Sequence, residues 1–257
     1  MAIEQLIPGT VEWDAFYANH IFRYQFALDY LIKNEKHSVL DAATGVGYGA
    51  YFLASHGISN VVAIDRSEDA LNIATTDFKH KAIKFLKDDC HHLGAAREFA
   101  PYDAIVSFET LEHLPQPDDF LQQSFSVLKS GGVIIVSTPN VEAAPYASKE
   151  NWPFHEKDYD PAVLTTILDK HNFRNIKLFG QALSQTGILK QEFRHELNRI
   201  NSNPLMRLGN FLQRKLRNKK PGAVLPESIN DFELVDQPDI QGKSCFVIIA
   251  VAEKKAA

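Results

Sequence analysis

Short apolar runs alternate with stretches of helical spacing through the first half of the chain. Each run has at most eight residues and is rich in valine and isoleucine. Near-continuous apolar strands separated by helices are typical of a parallel sheet that is covered on both faces. The predicted strands are 38–43, 60–65, 83–88, 102–108 and 132–139, and the predicted helices between them are 48–56, 67–80 and 118–128.

Further elements are predicted on both sides of this alternating region. Recurring aromatic and aliphatic residues predict a first helix within 13–33, and Pro161 at the first turn predicts a helix over 161–170. A strand at 175–180, a polar helical insertion near 185–217 and a proline-rich loop precede a last strand at 244–253. We therefore expect an α/β protein with a doubly wound, mostly parallel sheet of seven strands and an antiparallel C-terminal strand.

The chain length supports one domain. A chain of 257 residues with 45% hydrophobic content can bury one sizeable core. We expect one domain over 1–257, with a helical cover (1–37), a ligand-binding core (38–180), an insertion or substrate cap (181–243) and the last strand (244–253).

The net charge and the cysteine content limit the binding partners of the protein and the cellular compartment in which it is expected. The formal charge of −5 argues against binding along a nucleic acid, which needs a net basic face. With only Cys90 and Cys245, neither a disulfide framework nor a four-thiolate zinc site can form, so a reducing cytoplasm is expected. We find no secretion signal and no apolar run of the ~20 residues that span a bilayer. The basic stretch 207–220 favours an amphipathic surface helix, with contact to anionic lipid, phosphate or acidic glycan as the alternative.

The segment VLDAATGVGYGAYFLA carries the first chemical signal. A predicted strand ends at Asp41, and Gly45, Gly47 and Gly49 follow before a helix begins. Glycines let the backbone approach a ligand, although a tight turn would use them too. A dinucleotide site expects G-x-G-x-x-G, whereas this loop reads G-x-G-x-G. Asp41 would repel a pyrophosphate and tolerate an ammonium group, so the loop favours a ligand that carries an ammonium.

Two more carboxylates follow neighbouring strands. Asp65 ends the second strand, where a carboxylate can accept both hydroxyls of a ribose. Asp89 follows the third strand and can accept an adenine amino group, or can cap a helix before His91. Because the carboxyl ends of parallel strands converge on one crevice, we favour a nucleoside ligand there.

Motifs of the fourth and fifth strands extend this picture. The chain has Tyr102-Asp103, then Glu112-His113-Leu114, then the run Leu128-Lys129-Ser130-Gly131-Gly132. Together with the glycine loop and Asp65, this order resembles class I S-adenosylmethionine (SAM)-dependent methyltransferases, which include ubiquinone-pathway and glycan-modifying enzymes, over about 38–140. The resemblance implies a Rossmann-like fold, methyltransferase activity and SAM as cofactor. The family usually has Cys or Ser where this loop has Thr44, which keeps a small polar side chain.

The resemblance also implies the residues that hold the cofactor. They lie on the first helix, the glycine loop and the tips of the second, third and fourth strands. They are Tyr24, Asp41, Ala43, Gly45, Gly47, Asp65, Arg66, Asp89, Cys90, Phe108 and Glu109.

A second set of short motifs indicates the class of the methyl acceptor. Four motifs resemble those of bacterial methyltransferases of polysaccharide and glycoconjugate biosynthesis. They are His-x-x-Arg-Tyr at 20–24, Ser-Thr-Pro-Asn at 137–140, a motif with asparagine, phenylalanine and histidine at 151–155 followed by Asp158-Tyr159, and Phe-Gly-Gln at 179–181. They imply O-methylation of a sugar hydroxyl in a glycan, nucleotide-sugar or glycoconjugate. A homodimer is compatible with this interpretation. The alternatives are a small aromatic or quinone-like acceptor, and a catalytically silent domain that binds a nucleotide or partner. The glycine spacing disfavours a nicotinamide dehydrogenase.

His113 and His155 are the candidate catalytic residues. An alkyl hydroxyl must lose its proton as the new bond forms, and imidazole titrates near neutral pH. Alternatively, His113 orients its loop and His155 is a hydrogen-bonding residue of a lid. No metal site is expected, since the adjacent His91 and His92 point in different directions. The loop 139–160, with Tyr146, Trp152 and Phe154, is the expected acceptor wall.

Overall fold

A computed structural model describes residues 6–143, 155–191, 228–237, 240 and 245–255 of the chain. The helices are α1 (Val11–Lys33), α2 (Tyr48–Ser55), α3 (Glu68–Asp77), α4 (Pro117–Val127) and α5 (Pro161–Lys170). The strands are β1 (Ser38–Ala42), β2 (Asn60–Asp65), β3 (Ile83–Lys87), β4 (Tyr102–Phe108), β5 (Leu128–Pro139), β6 (Phe173–Leu183), β7 (Phe232–Asp236) and β8 (Val247–Lys254). The predicted alternation of strands and helices is confirmed.

The strands form one sheet in the order β3-β2-β1-β4-β5-β8-β6-β7. Neighbours among β1 to β5 pair in parallel, whereas β8 pairs antiparallel with both β5 and β6. The chain winds outwards from β1 in one direction and from β4 in the other, so the strand order reverses between them. Doubly wound sheets bind ligands at the carboxyl ends of the strands beside such a reversal. This places the candidate site at the tips of β1 and β4.

The sheet has one strand more than the sequence predicts. The additional strand, β7, pairs antiparallel with β6 and lies in the segment that was expected to be a proline-rich loop. Its sequence is FELVD, with two acidic residues among five. Such a short edge strand has almost no period-two signal of its own, because its pairing with β6 decides its conformation.

Side-chain caps fix where several helices begin. The Ser67 side chain accepts a hydrogen bond from the Ala70 amide at 3.2 Å, and Asp160 accepts one from the Val163 amide at 2.7 Å. Thr10 caps α1 in the same way. These bonds satisfy amides that have no partner inside the helix, so the ends of α1, α3 and α5 are determined locally.

Two apolar clusters pack on opposite faces of the sheet. The cluster with α4 and α5 includes Phe120 and Leu164, and the cluster with α1 and α2 includes Leu31 and Leu53. The first helix therefore packs on the same face of the sheet as α2, the helix that follows the glycine loop.

Parts of the expected architecture fall outside the described residues. Residues 185–191 are helical, but the rest of the predicted insertion and the basic stretch 207–220 are not described. Within the described part of the chain, no helix combines the length and the apolar character needed to cross a bilayer. The division into one core with an N-terminal cover and a substrate cap stays a prediction.

Candidate functional site

The loop between β1 and α2 has an unusual backbone. Ala43, Gly45 and Gly47 have φ angles of 60°, 58° and 86°. At Gly47 a Cβ atom would lie 2.8 Å from both the Ala74 Cβ and a Phe85 ring carbon, so no larger residue fits. Left-handed backbone at a non-glycine residue such as Ala43 is strained and is concentrated at ligand-binding sites.

Asp41 lies under this loop and is completely buried. Its Oδ2 accepts a hydrogen bond from the Thr44 hydroxyl at 2.6 Å, and its Oδ1 accepts one from the Tyr24 hydroxyl at 3.1 Å. Burial raises the pKa of Asp41 to about 6, although both hydrogen bonds favour the charged form. Thr44 thus supplies a hydroxyl that holds the carboxylate in place.

Tyr24 reaches Asp41 because residue 49 is glycine. A Cβ atom at Gly49 would lie 1.8 Å from Cζ of the Tyr24 ring, so any side chain there would displace the tyrosine. The same ring meets Phe108 of β4 at a centroid distance of 4.9 Å with nearly perpendicular planes. Three residues that the sequence assigned to the cofactor site are therefore brought together at the reversal point.

Asp65 ties the tip of β2 to the glycine loop. Its Oδ2 accepts from the Gly45 amide and its Oδ1 from the Ser67 amide, both at 2.8 Å. The residue is 8% exposed, whereas its neighbour Arg66 is exposed. A carboxylate has about four acceptor positions, so both oxygens retain capacity for ligand hydroxyls.

Asp89 makes the local contacts of a cap. Its Oδ1 accepts from the His91 amide at 2.7 Å and lies 2.7 Å from the His91 Nδ1. Burial acts to raise the pKa of Asp89, but the hydrogen bonds from His91 outweigh it and lower the pKa. The adjacent Cys90 is buried, and burial raises the pKa of its thiol to about 12, so it is uncharged at neutral pH.

The tip of β4 repeats the strained backbone seen after β1. Glu109 has a φ angle of 50°. Its amide donates to the Ser137 carbonyl at 3.1 Å, and its Oε1 accepts from the Ser137 hydroxyl at 2.7 Å. The carboxylate of Glu109 is thereby fixed between β4 and β5.

Glu112, His113 and His155 form a cluster beside this tip. One nitrogen or oxygen atom from each side chain lies within 4.8 Å of the other two. The imidazole rings have centroids 5.1 Å apart, and the His113 Nε2 lies 3.9 Å from the Glu112 Oε1. The Glu112 carbonyl accepts from the Glu156 amide at 2.7 Å, which fixes the segment of His155 against the turn. The structure therefore brings together the two predicted catalytic histidines.

Glu112 itself was not among the predicted site residues. It is 1% exposed, and neither carboxylate oxygen has a hydrogen-bond partner among the described residues. Burial, and then the negative charge of Glu109, raise the pKa of Glu112 well above its usual value, and they outweigh its own backbone amide and the positive charge of Arg23, which act to lower the pKa. Glu112 is the first residue of the Glu-His-Leu motif, so the motif could have indicated it as a site residue together with His113.

Arg23 is a second residue that the prediction missed. It is 1% exposed, and its Nη1 donates to Asn19 Oδ1 at 2.7 Å and to Gln181 Oε1 at 2.9 Å. Its Nε has no hydrogen-bond partner within the part of the chain that the structure describes. The signal was an arginine inside an aromatic helix, directly before Tyr24. The expected acceptor wall of Tyr146, Trp152 and Phe154 lies outside the described residues.

Known sequences match most of this core. A family model described as a methyltransferase domain matches residues 17–178. A probable SAM-dependent methyltransferase of Mycolicibacterium smegmatis is 29% identical over 196 residues, which are 75% of this chain and 72% of that protein. A ubiquinone biosynthesis O-methyltransferase of Paraburkholderia phytofirmans is 33% identical over 118 residues, 42% of this chain and 47% of that protein. The match thus spans about half the length of the second relative.

Solved structures share the fold over nearly the whole chain. A SAM-dependent methyltransferase of Thermotoga maritima, described as a possible histamine N-methyltransferase, has a TM-score of 0.61 at 16% identity and covers 95% of both chains. The magnesium protoporphyrin IX methyltransferase of Synechocystis, solved with bound S-adenosylhomocysteine, has a TM-score of 0.58 at 14% identity and covers 97% of this chain and 89% of that one.

Proposed function

This chain belongs to the methyltransferase-domain family and is an enzyme that uses SAM, and from that premise we propose that it methylates a sugar hydroxyl. The observation that carries the proposal is the Glu112–His113–His155 cluster beside the tips of β4 and β5. It lies next to the crevice in which doubly wound folds bind their ligands.

The residues at the tips of β1 and β2 suit the chemistry of the cofactor. SAM supplies a methyl group on a positively charged sulfonium. We assign Asp41 to its ammonium group and Asp65 to its ribose hydroxyls, with Gly45 and Gly47 allowing close backbone approach. The buried guanidinium of Arg23, with its remaining donor capacity, suits the carboxylate of the methionine moiety.

The other predicted cofactor residues keep their assignments as part of this proposal. Asp89 and Cys90 lie at the tip of β3, Tyr24 and Phe108 meet edge to face, and Ala43 and Glu109 hold strained backbone at the two tips beside the reversal. Exposed Arg66 would contact the outer edge of the nucleoside. These residues define the crevice in which donor and acceptor are aligned.

An aliphatic hydroxyl needs help to lose its proton, and the cluster offers two routes. One imidazole can accept the proton directly, or the cluster can hold a cation that acidifies the hydroxyl. Both routes make His113 and His155 catalytic residues. A strongly nucleophilic amine acceptor would need neither, so the cluster favours oxygen as the methylated atom.

The assignment of a sugar as the acceptor rests on short sequence motifs. The motifs at 20–24, 137–140 and 179–181 are similar to those of glycoconjugate methyltransferases. In the structure Arg23 and Gln181, from two of these motifs, are joined by a hydrogen bond of 2.9 Å. This contact brings residues of the two motifs together, which supports assigning both to the acceptor site. A quinone-like phenol is the second candidate, because a relative at 33% identity is named a ubiquinone biosynthesis O-methyltransferase.

A transfer assay with SAM that carries a deuterated methyl group tests the proposal. The purified protein is incubated with a panel of nucleotide sugars and glycans, and separately with catechols and quinols, and products are identified by mass spectrometry. We expect label on a sugar hydroxyl. Label on phenols alone would replace the sugar with the quinone-like acceptor, and label on nitrogen alone would refute O-methylation.

Variants connect the reaction with the cluster. His113→Ala and His155→Ala should each lower turnover and leave the dissociation constant of S-adenosylhomocysteine nearly unchanged. His171 provides a matched control, because its Nε2 lies 2.7 Å from the Asp118 carboxylate and it is not one of the three cluster residues. Unchanged turnover in both cluster variants would remove the catalytic assignment.

A further inference from the structure

We propose that Glu112, His113 and His155 bind a divalent cation, and that this cation receives the acceptor hydroxyl. The inference rests on the proposed function for the identity of the acceptor, but the cation site itself rests on geometry. It differs from the sequence-based expectation of no metal, which considered only the adjacent histidines His91 and His92.

The donor atoms are close enough for one ion. One atom from each side chain lies within 4.8 Å of the other two. Neighbouring ligands bonded to the same ion at about 2.1 Å are about 3.0 to 3.4 Å apart in octahedral or tetrahedral geometry. Side-chain movements on the order of 1 to 2 Å therefore close the site around an ion.

Glu112 provides the second, independent observation. A carboxylate that is 1% exposed and has no hydrogen-bond partner among the described residues is costly to bury. Buried charges in proteins are paired or coordinate metals. Glu109, which carries another carboxylate, increases the local negative charge, and its side chain is held by Ser137 at 2.7 Å. A divalent cation would satisfy Glu112 and neutralise this pair.

The backbone holds the donors in place before any ion binds. Glu112 and His113 lie on one 3-10 turn, Leu111–His113. The Glu112 carbonyl accepts from the amides of Glu156 and Lys157 at 2.7 and 3.3 Å. His155 is thereby attached to the same turn that presents the other two donors. Such preorganisation lowers the entropic cost of assembling a site.

The ligand set selects the class of ion. Two imidazoles and one carboxylate suit Zn²⁺, Mn²⁺ or Fe²⁺, whereas Ca²⁺ and Mg²⁺ prefer oxygen ligands throughout. Three protein ligands leave coordination positions open, as in catalytic rather than structural sites. His113 has an exposed side-chain fraction of 31%, so solvent reaches the cluster at this ligand.

The cation would act as a Lewis acid on the acceptor. An oxygen bound to a divalent ion has a lowered pKa, so the hydroxyl releases its proton to solvent near neutral pH. The oxygen then forms its bond to the methyl carbon as the carbon–sulfur bond breaks, and the electron pair of that bond stays on sulfur. Imidazoles that are bound to an ion cannot also serve as the general base.

Binding of Mn²⁺ alone, without cofactor or acceptor, tests the site. Protein stripped with EDTA is titrated with MnCl₂, and the loss of the free-ion electron paramagnetic resonance signal counts the bound ions. We expect one ion per chain, and at least about tenfold weaker binding in Glu112→Gln and in His113→Ala. His171→Ala, which removes a histidine from a different carboxylate pair, should bind like the wild type. Circular dichroism of each variant checks that it is folded.

Absence of stoichiometric binding, or equal affinity in folded cluster variants, would overturn the inference. Methyl transfer by stripped protein at the rate of loaded protein would also overturn the cation's role and leave the proposed function standing. If Mn²⁺ binds through the three residues but no hydroxyl acceptor is methylated, the site is supported and the proposed function fails.

Discussion

Lowering the pH should weaken cofactor binding through Asp41. Its pKa is raised to about 6 by burial, so a fall from pH 7.5 to pH 5 protonates most of this carboxyl group. At pH 5 about one tenth of the molecules keep the charged form, which predicts about tenfold weaker binding, or 1.4 kcal/mol. The sign follows from the ligand, because an ammonium is attracted by the carboxylate and not by the neutral acid. At sufficiently alkaline pH the ligand's own α-ammonium loses its proton, so affinity should fall there too.

Isothermal titration with S-adenosylhomocysteine at a series of pH values measures this dependence. Asp41→Asn keeps an oxygen that can accept from Thr44 but removes the titration. Its affinity should be nearly constant between pH 5 and 7.5 and close to that of the wild type at pH 5. A wild-type affinity that is equal at both pH values would refute the assignment of Asp41 to the ammonium. An equal pH slope in the variant would refute it as well.

The same pKa predicts an effect on folding. The folded value of about 6 is higher than the unfolded value of about 3.9, so the folded protein binds this proton more tightly. Stability from this group is therefore present at low pH and is lost as the pH rises through 6. Relative to Asp41→Asn, the free energy of unfolding of the cofactor-free protein should fall by about 2 kcal/mol between pH 4 and pH 7. Urea titrations at the two pH values measure it.

Three further substitutions test the contacts around the crevice. Gly49→Ala should lower the free energy of unfolding in urea by about 1–3 kcal/mol, because its Cβ overlaps the Tyr24 ring. This loss should largely disappear in a Tyr24→Ala background, and equal losses in both backgrounds would contradict the overlap. Asp65→Ala should weaken S-adenosylhomocysteine binding at least about threefold by calorimetry, through lost charge-assisted hydrogen bonds. Arg23→Gln should weaken S-adenosylhomocysteine but not methylthioadenosine, which lacks the methionine carboxylate, so an equal loss for both ligands would remove Arg23 from that role.

Local patterns of hydrophobic residues were sufficient to predict most strands of the sheet. The runs that became β1, β2, β4 and β5 are apolar because both faces of those strands are covered, and this shows in the residues themselves. Strand β7 could not be predicted this way, since an acidic five-residue edge strand depends on its neighbour β6. The lengths of β5 and β6 were also underestimated. Leu128 pairs with Tyr102 ahead of an irregularity in β5, and Phe173 and Arg174 pair with β8, so the pairing partners extend both strands beyond their apolar runs.

Some residues of the site could likewise be predicted from local motifs, whereas others depend on tertiary contacts. Motif order pointed to His113, which precedes His155 by 42 residues, and to the carboxylates at the strand tips. The cluster could not be predicted from local sequence, because the hydrogen bonds that hold the segment of His155 against the turn of Glu112 join residues more than 40 positions apart. Arg23 was missed for a similar reason. Its partners are Asn19 on the same helix and Gln181 on β6, so its burial is a tertiary property.

Charge balance connects the proposals about this site. Asp41 and Glu112 are buried carboxylates whose pKa values are raised first by burial. The protein therefore does not fully compensate these charges by itself, and it favours positively charged ligands beside both. In the proposed site the ammonium and sulfonium of the cofactor would meet this demand near Asp41, and a divalent cation would meet it near Glu112. Methyl transfer converts the sulfonium into a neutral thioether. The attraction that draws in the methyl donor is therefore weaker for the product, which favours its release after each turnover.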